Sequence, residues 1–311
     1  MSVFNDAWDK YWQAGFTTSC YSGGQEGYPL AIKEFWNREV FRLLKDGYKV
    51  IDLCSGGGGV PDLLIRHATK NNISLNIKVT DLATITQNQE STEKITLDYF
   101  PKCNCEDLPF DDSSFDLITS SFGIEYSNLK LTFQEIFRTL KKGGVCATIL
   151  HCYDSVIVKN SYSQLKQSHY LVHEINFFGL FRDIYLARSR SSVIQKSKEK
   201  KLLKCLNKIK LELLHNNELT VYQLILNAAH DIFLYGQSNK PMKCVENINK
   251  MERALIYNYR RMENLESAVL SKKQIQEMVE QLNYLGFKVL HNHKIKSEEG
   301  KVLGLGFIYK K

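Results

Sequence analysis

The sequence lacks the features that define membrane-spanning and secreted proteins. No stretch approaches the roughly 18 uninterrupted apolar residues that a membrane-spanning helix needs. The first 30 residues carry Asp6, Asp9 and Glu26 where a secretory signal peptide would have an apolar segment. These absences predict a cytoplasmic protein without a membrane span.

Cysteine pairs and repeated segments are also missing. The eight cysteines are scattered, and no two have the C-x-x-C spacing of a zinc site or a redox pair. We therefore expect reduced thiols, mostly small core residues, and no metal site. There is no internal repeat, low-complexity tract or flexible linker, so any insertion is expected to pack on the main domain.

The charge balance is only weakly basic. The net charge is +7, but the 41 basic residues are interspersed with 34 acidic ones. Such a mixture does not by itself indicate a nucleic-acid surface. With 311 residues, of which 43% are hydrophobic, the chain has enough apolar sequence for one large domain or two small ones.

The segment VIDLCSGGGGVPDLL, residues 50–64, places four glycines between an apolar run and a helix signal. Val50 to Leu53 predict a buried strand, and Pro61 suits the first turn of a helix, where its missing N–H costs nothing. The glycines then form a strand-to-helix turn in which a nucleotide-like ligand lies against bare backbone. A purely structural glycine turn is the alternative.

Two acidic residues strengthen the ligand-binding interpretation. Asp52 lies at the end of the first strand, and IKVTDLA predicts a second strand that ends in Asp81, 25 residues after Gly56. A carboxylate at that position can accept hydrogen bonds from both hydroxyls of a ribose. The alternative for each acid is a solvated carboxylate at a strand end.

In their order along the chain, these segments resemble the motifs of class I S-adenosylmethionine-dependent methyltransferases. VIDLCSGGGG is similar to the first motif and Asp81 to the ribose-binding acid. CNCEDLPFDDSSFDLI is similar to the D-A-x-x-L-P-F-x-x-x-S-F-D segment, and EIFRTLKKGGVCATIL to the R-x-L-K-P-G-G turn before the fifth strand. The resemblance covers roughly residues 50–150. SSFGIEYSN resembles a segment of small-molecule and quinone-type methyltransferases, and is closer to bacterial members with F-G-x-E-Y.

The resemblance implies S-adenosylmethionine as cofactor and assigns residues to it. Asp52 is expected near the amino end of the methionine part, and Asp81 at the ribose. Asn104, with the backbone of Cys105, is expected at the adenine edge. The complete set of expected cofactor contacts is Asp52, Cys54, Ser55, Gly56, Gly58, Asp81, Leu82, Asn104, Cys105, Ser121, Tyr11 and Tyr21.

Three residues depart from the family pattern. Cys54 stands where the family usually has the first glycine of its loop. Asn104 replaces an Asp that meets the adenine amino group, and its amide oxygen can still accept that hydrogen bond. Lys142 replaces the proline of K-P-G-G, which changes the stiffness of a turn.

The family has no universal catalytic residue, because methyl transfer mainly requires in-line placement of the nucleophile. A general base is needed only when the nucleophile must lose a proton. The candidates are Glu125 and Tyr126 in FGIEY, and His151 in ILHCYDS. Glu125 would be a base or bind a substrate amine, and His151 has the ordinary pKa best suited to base work. The alternatives are a helix-capping acid and a hydrogen-bonded loop histidine.

Residues 1–45 are expected to form an N-terminal cap over the cofactor. WDKYWQAGFTTSCYSGGQEGY is dense in aromatic and turn residues, and Tyr11, Tyr21 and Ser22 are its candidate contacts, with ordinary core packing as the alternative. PLAIKEFWNREVFRLLKD predicts a helix with one apolar face. That face comprises Ile32, Phe35, Trp36, Val40 and Leu43.

The chain between Tyr153 and Leu282 is longer than this fold needs, which predicts a helical insertion. KKLLKCLNKIKLELL and CVENINKMERALIYNYRRMENL each place apolar residues at helical spacing. The predicted apolar faces comprise Leu202, Leu206, Ile209 and Leu213 in the first helix, and Ile248, Met251, Leu255 and Tyr259 in the second. The insertion is interpreted as a lid over the substrate. Its lysine-rich faces would meet RNA or an anionic lipid, or be solvated outer faces; the latter is favoured, since no RNA-binding signature is present.

The C-terminal segment GFKVLHNHKIKSEEGKVLGLGFIYKK predicts two strands joined by a polar turn at Glu298 to Gly300. His291 and His293 alternate to one face, as a metal-binding pair would. With no third ligand evident, the sequence favours structural histidines.

These observations predict an α/β protein with the Rossmann-like class I methyltransferase sheet, mainly parallel, with seven strands and a C-terminal antiparallel hairpin. The expected regions are an N-terminal cap (1–45), a cofactor-binding core (46–155), a helical insertion (156–281) and a hairpin completing the sheet (282–311). The predicted function is methyl transfer from S-adenosylmethionine to a small or medium-sized acceptor held between core and insertion. The alternatives are an RNA or protein methyltransferase that uses the lysine-rich helices, and a non-catalytic regulatory protein that binds S-adenosylmethionine.

Overall fold

The computed structural model describes residues 2–19, 27–85, 87, 89–187, 192–216, 219–236 and 240–311. The chain divides into two compact units. The first comprises Met1–Lys159 and Asn264–Lys311, and the second comprises Asn160–Glu263.

The first unit contains a seven-stranded sheet. Its strands are β1 (Tyr48–Asp52), β2 (Leu75–Asp81), β3 (Ile95–Pro101), β4 (Phe115–Ser121), β5 (Leu140–Leu150), β6 (Lys288–Lys296) and β7 (Val302–Lys310). They are ordered β3-β2-β1-β4-β5-β7-β6. Only β7 runs antiparallel to its neighbours, β5 and β6. The predicted mainly parallel sheet with a C-terminal hairpin is confirmed.

Helices account for much of the remaining described chain. In chain order they are α1 (Ser2–Gln13), α2 (Leu30–Glu34), α3 (Gly59–Asn71), α4 (Leu129–Thr139), α5 (Val156–His169), α6 (Phe177–Ala187), α7 (Ser192–His215), α8 (Thr220–Tyr235), α9 (Pro241–Ala268) and α10 (Lys272–Tyr284). None of those helices, over the residues described, is both long and apolar enough to cross a membrane.

The sheet is apolar on both faces because side chains alternate along each strand. Val50 and Ile51 are neighbours in β1 and both are fully buried, but they belong to different hydrophobic clusters. The Val50 cluster includes Trp36 and Val79, whereas the Ile51 cluster includes Tyr309. A near-continuous apolar run such as the end of β1 is therefore the pattern of a strand covered on both sides.

The predicted helix after residue 29 is irregular. α2 continues into a wide turn with i to i+5 hydrogen bonding, Phe35–Val40, and then a tight 3-10 turn, Phe41–Leu43. Four residues of the predicted apolar face are buried, but Leu43 is 36% exposed. The reason is geometric: a turn of another period moves later residues off the face that a regular helix would give them.

The predicted K-K-G-G turn before the fifth strand lies inside β5. Leu140 pairs with Phe115, and the next pair joins Val145 to Leu117, so residues 141–144 form an irregular bulge. Gly143 has a φ of +82° there, a left-handed conformation that glycine adopts without strain.

The second unit is helical and has its own core. Leu202, Leu206 and Ile209 of α7 are buried as their spacing predicts, and Ile248 and Leu255 of α9 are buried as well. The other predicted positions, Leu213, Met251 and Tyr259, are half-buried. They surround a group of aromatic side chains that includes Phe177, Phe181 and Tyr185.

The helical unit is shorter than the predicted insertion at its C-terminal end. α10 belongs to the first unit, where Met278 and Leu282 are buried in the same cluster as Ile51 and Phe287. The residues up to 281 that were expected in the insertion therefore include a helix that covers the sheet.

Candidate active site

A cavity opens in the first unit where the strands of the parallel sheet end. Cys54 and Ser55 follow β1, Asp81 ends β2 and Leu82 follows it, and Ser121 ends β4; all five line the cavity. The carboxyl ends of parallel strands are the usual ligand-binding edge of such sheets. The sequence predicted each of these five residues as a cofactor contact, and the fold brings them to one cavity.

Asp81 is fixed by two backbone hydrogen bonds. The Gly56 N–H donates to Oδ2 over 2.8 Å, and the Ala83 N–H donates to Oδ1 over 2.7 Å. Burial raises the pKa of Asp81 to about 6. Each carboxylate oxygen keeps a second lone pair, so the group can still accept two hydrogen bonds from a ligand diol.

Asp52 lies behind the cavity wall. It is 1% exposed, and the Thr119 hydroxyl donates a hydrogen bond of 2.6 Å to its Oδ1. Burial raises its pKa to about 7. Its backbone carbonyl accepts from the hydroxyls of Ser55 and Thr80, so Asp52 shapes the start of the glycine loop. Asp52 does not line the cavity, and its expected contact with the amino end of the cofactor, direct or through water, stays a prediction.

The glycine loop adopts left-handed backbone conformations. φ is +54° at Cys54, +55° at Gly56 and +83° at Gly58. The family's preference for glycine at the position of Cys54 thus has a steric reason, because residues with a Cβ rarely adopt this conformation.

The space that the glycines leave is filled by the N-terminal segment. A Cβ added to Gly56 would lie 2.4 Å from the Trp12 ring, and one on Gly57 would lie 2.0 Å from the Phe16 carbonyl oxygen. Neither Gly56 nor Gly58 lines the cavity. In this structure the loop glycines admit another part of the chain, and their contact with a cofactor stays a prediction.

The adenine side of the predicted site is formed by the segment after β3. Asn104 and Cys105 line the cavity beside Leu82, which is 43% exposed. The Glu106 N–H donates to Asn104 Oδ1 over 3.0 Å. One lone pair of the amide oxygen remains to accept a hydrogen bond from a ligand amino group.

Two cavity cysteines contact each other. The sulfur atoms of Cys54 and Cys105 are 3.9 Å apart, and no disulfide joins them. The hydrogen bond that the Cys54 thiol donates lowers the pKa of Cys105 to about 7. Both were predicted as cofactor contacts and both line the cavity, as does Cys103, which the sequence did not assign.

The N-terminal segment supplies part of the wall that the sequence did not assign. The residues involved are Trp8, Trp12, Thr17, Thr18, Ser19 and Tyr28. Tyr11, which was predicted, does not line the cavity; its hydroxyl donates to the Thr18 carbonyl over 2.9 Å and its ring stacks on Phe16. Tyr21 and Ser22 lie outside the described residues. The density of aromatics indicated a cap, but not which side of it faces inward.

Two hydroxyls on the cavity wall lack hydrogen-bond partners within the described part of the chain. They are Thr18 Oγ1 and Ser121 Oγ, on residues that are 2% and 9% exposed. Buried hydroxyls are normally satisfied, so both indicate a polar ligand in this cavity. Together with Asp81 and Asn104, they fit the hydroxyls and amino groups of S-adenosylmethionine.

The catalytic candidates differ in their position relative to the cavity. Tyr126 lines it, and the Tyr126 and Trp8 ring centroids lie 5.6 Å apart. Glu125 and His151 are buried behind Phe122, whose ring centroid is 4.6 Å from that of His151. Neither of them lines the cavity.

Glu125 and His151 contact each other through the backbone. The His151 N–H donates to Glu125 Oε1 over 2.8 Å, while Glu125 Oε2 and His151 Nδ1 have no partner among the described residues. Burial raises the pKa of Glu125 to about 7 and lowers the pKa of His151 to about 3. The expectation that His151 has the better pKa for base work is reversed, because burial disfavours the charged form of each group.

The two C-terminal histidines have a neighbour that the sequence could not reveal. Glu39, which is 252 residues before His291 in the sequence, lies with its Oε1 atom 3.3 Å from Nε2 of His293. The sequence showed no third candidate ligand beside the histidine pair, and in the structure a carboxylate lies next to it.

The strand order and the sequence motifs together resemble those of class I S-adenosylmethionine-dependent methyltransferases. Residues 27–181, slightly under half of the chain, match the model of the ubiE/COQ5 methyltransferase family. The resemblance inferred from the motifs is thereby confirmed at the level of the class.

Individual relatives match part of the chain. Over 121 residues the chain is 33% identical to the ubiquinone/menaquinone biosynthesis C-methyltransferase UbiE of Xylella fastidiosa. The aligned region covers 37% of this chain and 47% of that protein. A demethylmenaquinone methyltransferase of Porphyromonas gingivalis is 28% identical over 117 residues, or 35% of this chain and 46% of that one. The matched region thus spans about half the length of these relatives.

Among solved structures, an S-adenosylmethionine-dependent methyltransferase from Mesorhizobium loti is similar to part of the chain. The identity is 19% and the TM-score 0.30, over 39% of this chain and 54% of that one.

Proposed function

We propose that the protein transfers the methyl group of S-adenosylmethionine to a small-molecule acceptor. The observation that carries the proposal is the cavity at the carboxyl ends of β1, β2 and β4, with Asp81 on its wall and two buried hydroxyls that have no partner among the described residues. When bound, S-adenosylmethionine supplies an activated methyl group on a positively charged sulfur.

In this proposal, the cofactor is held from three sides. Asp81 accepts hydrogen bonds from the ribose hydroxyls, and Asn104 Oδ1 accepts one from the adenine amino group. Leu82 packs on the adenine ring, and the hydroxyls of Ser121 and Thr18 form hydrogen bonds with polar atoms of the cofactor. The positions of these five residues on the cavity wall, and the burial of Asp81, Ser121 and Thr18, support the assignment.

The acceptor is proposed to be a phenol or hydroquinone. Trp8, Phe122 and Tyr126 give one part of the cavity an aromatic wall, which suits a flat ring. The named function of the Xylella fastidiosa relative is C-methylation in ubiquinone and menaquinone biosynthesis. An aromatic acceptor methylated on carbon agrees with both observations.

Methylation of a ring carbon releases one proton in exchange for the methyl group. Glu125 is proposed as the final proton acceptor, because its pKa of about 7 is matched to neutral pH and its Oε2 has no partner among the described residues. His151 is proposed to position Glu125 through its backbone N–H. Tyr126, which follows Glu125 in the chain and lines the cavity, would contact the acceptor directly.

A transfer assay with isotopically labelled methyl donor tests the proposal. The purified protein is incubated with labelled S-adenosylmethionine and, separately, with demethylated hydroquinones, simple phenols, amines and total RNA. We expect label in the hydroquinone or phenol product. Label in RNA or in protein would contradict the small-molecule assignment, and cofactor binding without any labelled product would indicate a regulatory protein.

The role of Glu125 is tested in the same assay with Glu125→Gln. We expect kcat to fall at least about tenfold while the affinity for S-adenosylmethionine is unchanged, since general bases typically contribute about a hundredfold or more. Glu280→Gln, at an exposed position of α10, is the control and should retain full activity. Full activity of Glu125→Gln would remove Glu125 from the mechanism.

A further inference from the structure

Glu39, His291 and His293 converge on one face of the first unit, away from the cavity described above. Each of the three offers one ligand atom, and these atoms lie within 4.8 Å of one another. Oε1 of Glu39 is 3.3 Å from Nε2 of His293. We propose that these three residues, the Glu39–His291–His293 cluster, bind a divalent transition-metal ion such as Zn²⁺.

The ligand set is the first reason for the assignment. Two histidines and one carboxylate are a recurrent set for zinc with an open coordination position, and for other first-row metals. In a tetrahedral zinc site with bonds of about 2.1 Å, ligand atoms lie about 3.4 Å apart. The Glu39–His293 distance already has this value, and His291 is exposed, so its ring has room to complete the set.

The strand geometry is the second reason. The pairing of β6 with β7 shifts between Val289 and His291, because Leu290 is an extra residue in the ladder. Val289, before this bulge, packs with the Ile51 cluster, whereas Ile295, after it, packs with the Val50 cluster. The bulge thus turns His291 and His293 towards the face of the sheet on which Glu39 lies.

The position of Glu39 depends on two local features. It belongs to the wide turn Phe35–Val40, and Phe35 of that turn lies over Gly306 of β7, the residue that pairs with His293. A Cβ on Gly306 would lie 2.6 Å from the Phe35 ring, so glycine is required for this approach. The close approach brings the turn to the edge strand and places Glu39 opposite the histidines.

The cluster joins two parts of the chain that are distant in sequence. A bound metal would link the turn after α2 to β6, which is the edge strand of the sheet. A metal ion that binds only the folded state stabilises that state. At metal concentrations above Kd, this stabilisation grows with the logarithm of the concentration. The bound metal would therefore hold the C-terminal hairpin to the turn after α2. Water would fill the remaining coordination positions of the metal.

Calorimetric titration of the whole protein with ZnCl₂, after treatment with a chelator and its removal, tests the proposal. We expect one equivalent to bind, and a rise in Tm on addition of the metal. Glu39→Gln, His291→Ala and His293→Ala should each weaken this binding about tenfold or more and abolish the rise in Tm. Circular dichroism before the titration checks that each variant is folded.

A second histidine pair provides the matched control. His169 and His173 of the helical unit have ring centroids 5.0 Å apart, and Glu174 lies near them. The double variant His169→Ala with His173→Ala should retain the site and the rise in Tm. The Cys54→Ala variant, which removes a cavity thiol that could also take zinc, should retain them too.

Three results would overturn the proposal. One is an absence of Zn²⁺ binding at 100 µM, about the weakest affinity that would matter for a metal site of this kind. Another is binding that persists in both His293→Ala and Glu39→Gln. The last is loss of binding in the histidine variants with full binding in Glu39→Gln, which would reduce the site to a histidine pair.

Discussion

At the scale of single residues, Asp81 connects the glycine loop to the cavity. Its carboxylate accepts backbone hydrogen bonds from Gly56 and Ala83, and its free lone pairs face the position proposed for the ribose. We expect Asp81→Asn to weaken binding of S-adenosylhomocysteine by about 1–3 kcal/mol, because an amide replaces one charged acceptor oxygen with a donor. Calorimetric titration measures the change.

The control for Asp81 is Asp98→Asn in β3. Asp98 forms an ion pair with Lys78 outside the cavity. Its replacement should leave the affinity for S-adenosylhomocysteine unchanged. Equal affinities of wild type and Asp81→Asn would disprove the ribose contact.

The buried carboxyl of Asp52 predicts a pH-dependent stability. Its folded-state pKa of about 7 lies above the ordinary value of 3.8, so folding favours the protonated form. The unfolded chain loses this proton from about pH 4 upwards, so folded-state stability falls as the pH rises from there to about 7 and then levels off. Asp52→Asn keeps an acceptor for the Thr119 hydroxyl but cannot ionise, so its stability relative to wild type should increase between pH 5 and pH 8.

We expect that relative gain to be about 2 kcal/mol, since one pKa unit corresponds to about 1.4 kcal/mol. Urea denaturation of both ligand-free proteins at the two pH values measures it. If the free energies of unfolding of the two proteins differ by the same amount at pH 5 and at pH 8, Asp52 does not titrate in this range.

The sequence predicted site residues where a motif fixed the backbone. Asp81, Leu82 and Asn104 follow strand ends of a recognisable order, and all three line the cavity. Asp52 belongs to the same motifs but lies behind the wall, because the direction of a side chain at a strand end is not set by the spacing of motifs. Glu39 could not be paired with His293 from sequence, since only the bulge in β6 and the turn after α2 bring them together.

At the scale of elements, the N-terminal segment and the glycine loop are built against each other. Gly57 is within steric contact of the Phe16 backbone, and the Trp12 ring lies over Gly56. We expect Gly57→Ala to displace the segment, because a methyl group 2.0 Å from a carbonyl oxygen cannot be accommodated without backbone movement. Trp8 and Trp12 should become more exposed, which a red shift of the tryptophan emission would report.

Gly300→Ala is the control for this displacement. Gly300 lies in the hairpin turn, where an added Cβ meets no atom within 4 Å and only the left-handed φ of +75° opposes it. Its replacement should leave the tryptophan emission unchanged. An unchanged emission in Gly57→Ala as well would mean that the segment does not lie on the loop.

Regular elements were predictable and irregular ones were not. The apolar positions of α7 and α9 follow from a uniform helical period, and their burial agrees with it. Leu43 was assigned to the apolar face of a regular helix, but the change of hydrogen-bonding period at Phe35–Val40 rotates it outward. Nothing in the residue types of that segment distinguishes a wide turn from an α-helical one.

At the scale of the whole molecule, the second unit depends on its own aromatic core. Phe181 is fully buried, and its ring centroid is 5.1 Å from that of Phe233 and 5.9 Å from that of Phe177. We expect Phe181→Ala to lower the free energy of unfolding by about 3–5 kcal/mol through loss of apolar contact and the cavity left behind. Urea denaturation followed by circular dichroism measures the loss.

Leu214→Ala on α7 is the matched control. Leu214 is 82% exposed, so its truncation should change the free energy of unfolding by no more than about 0.5 kcal/mol. Similar losses for Phe181→Ala and Leu214→Ala would contradict the assignment of the core.

The mainly parallel sheet was predictable because the motifs occur in a fixed succession along β1 to β5, and the terminal hairpin has a clear turn at Glu298 to Gly300. The end of the helical unit was not, because α10 is amphipathic like the helices before it. Only its contacts with Ile51 and Phe287 in the first unit distinguish it from them.

The central claim is that the cavity beside Asp81 is the S-adenosylmethionine site of a methyltransferase. A crystal structure of the protein with S-adenosylhomocysteine tests it most directly. We expect the ribose hydroxyls within hydrogen-bonding distance of Asp81, and the adenine between Leu82 and Asn104. A product molecule bound elsewhere, or a ribose without contact to Asp81, would contradict the account.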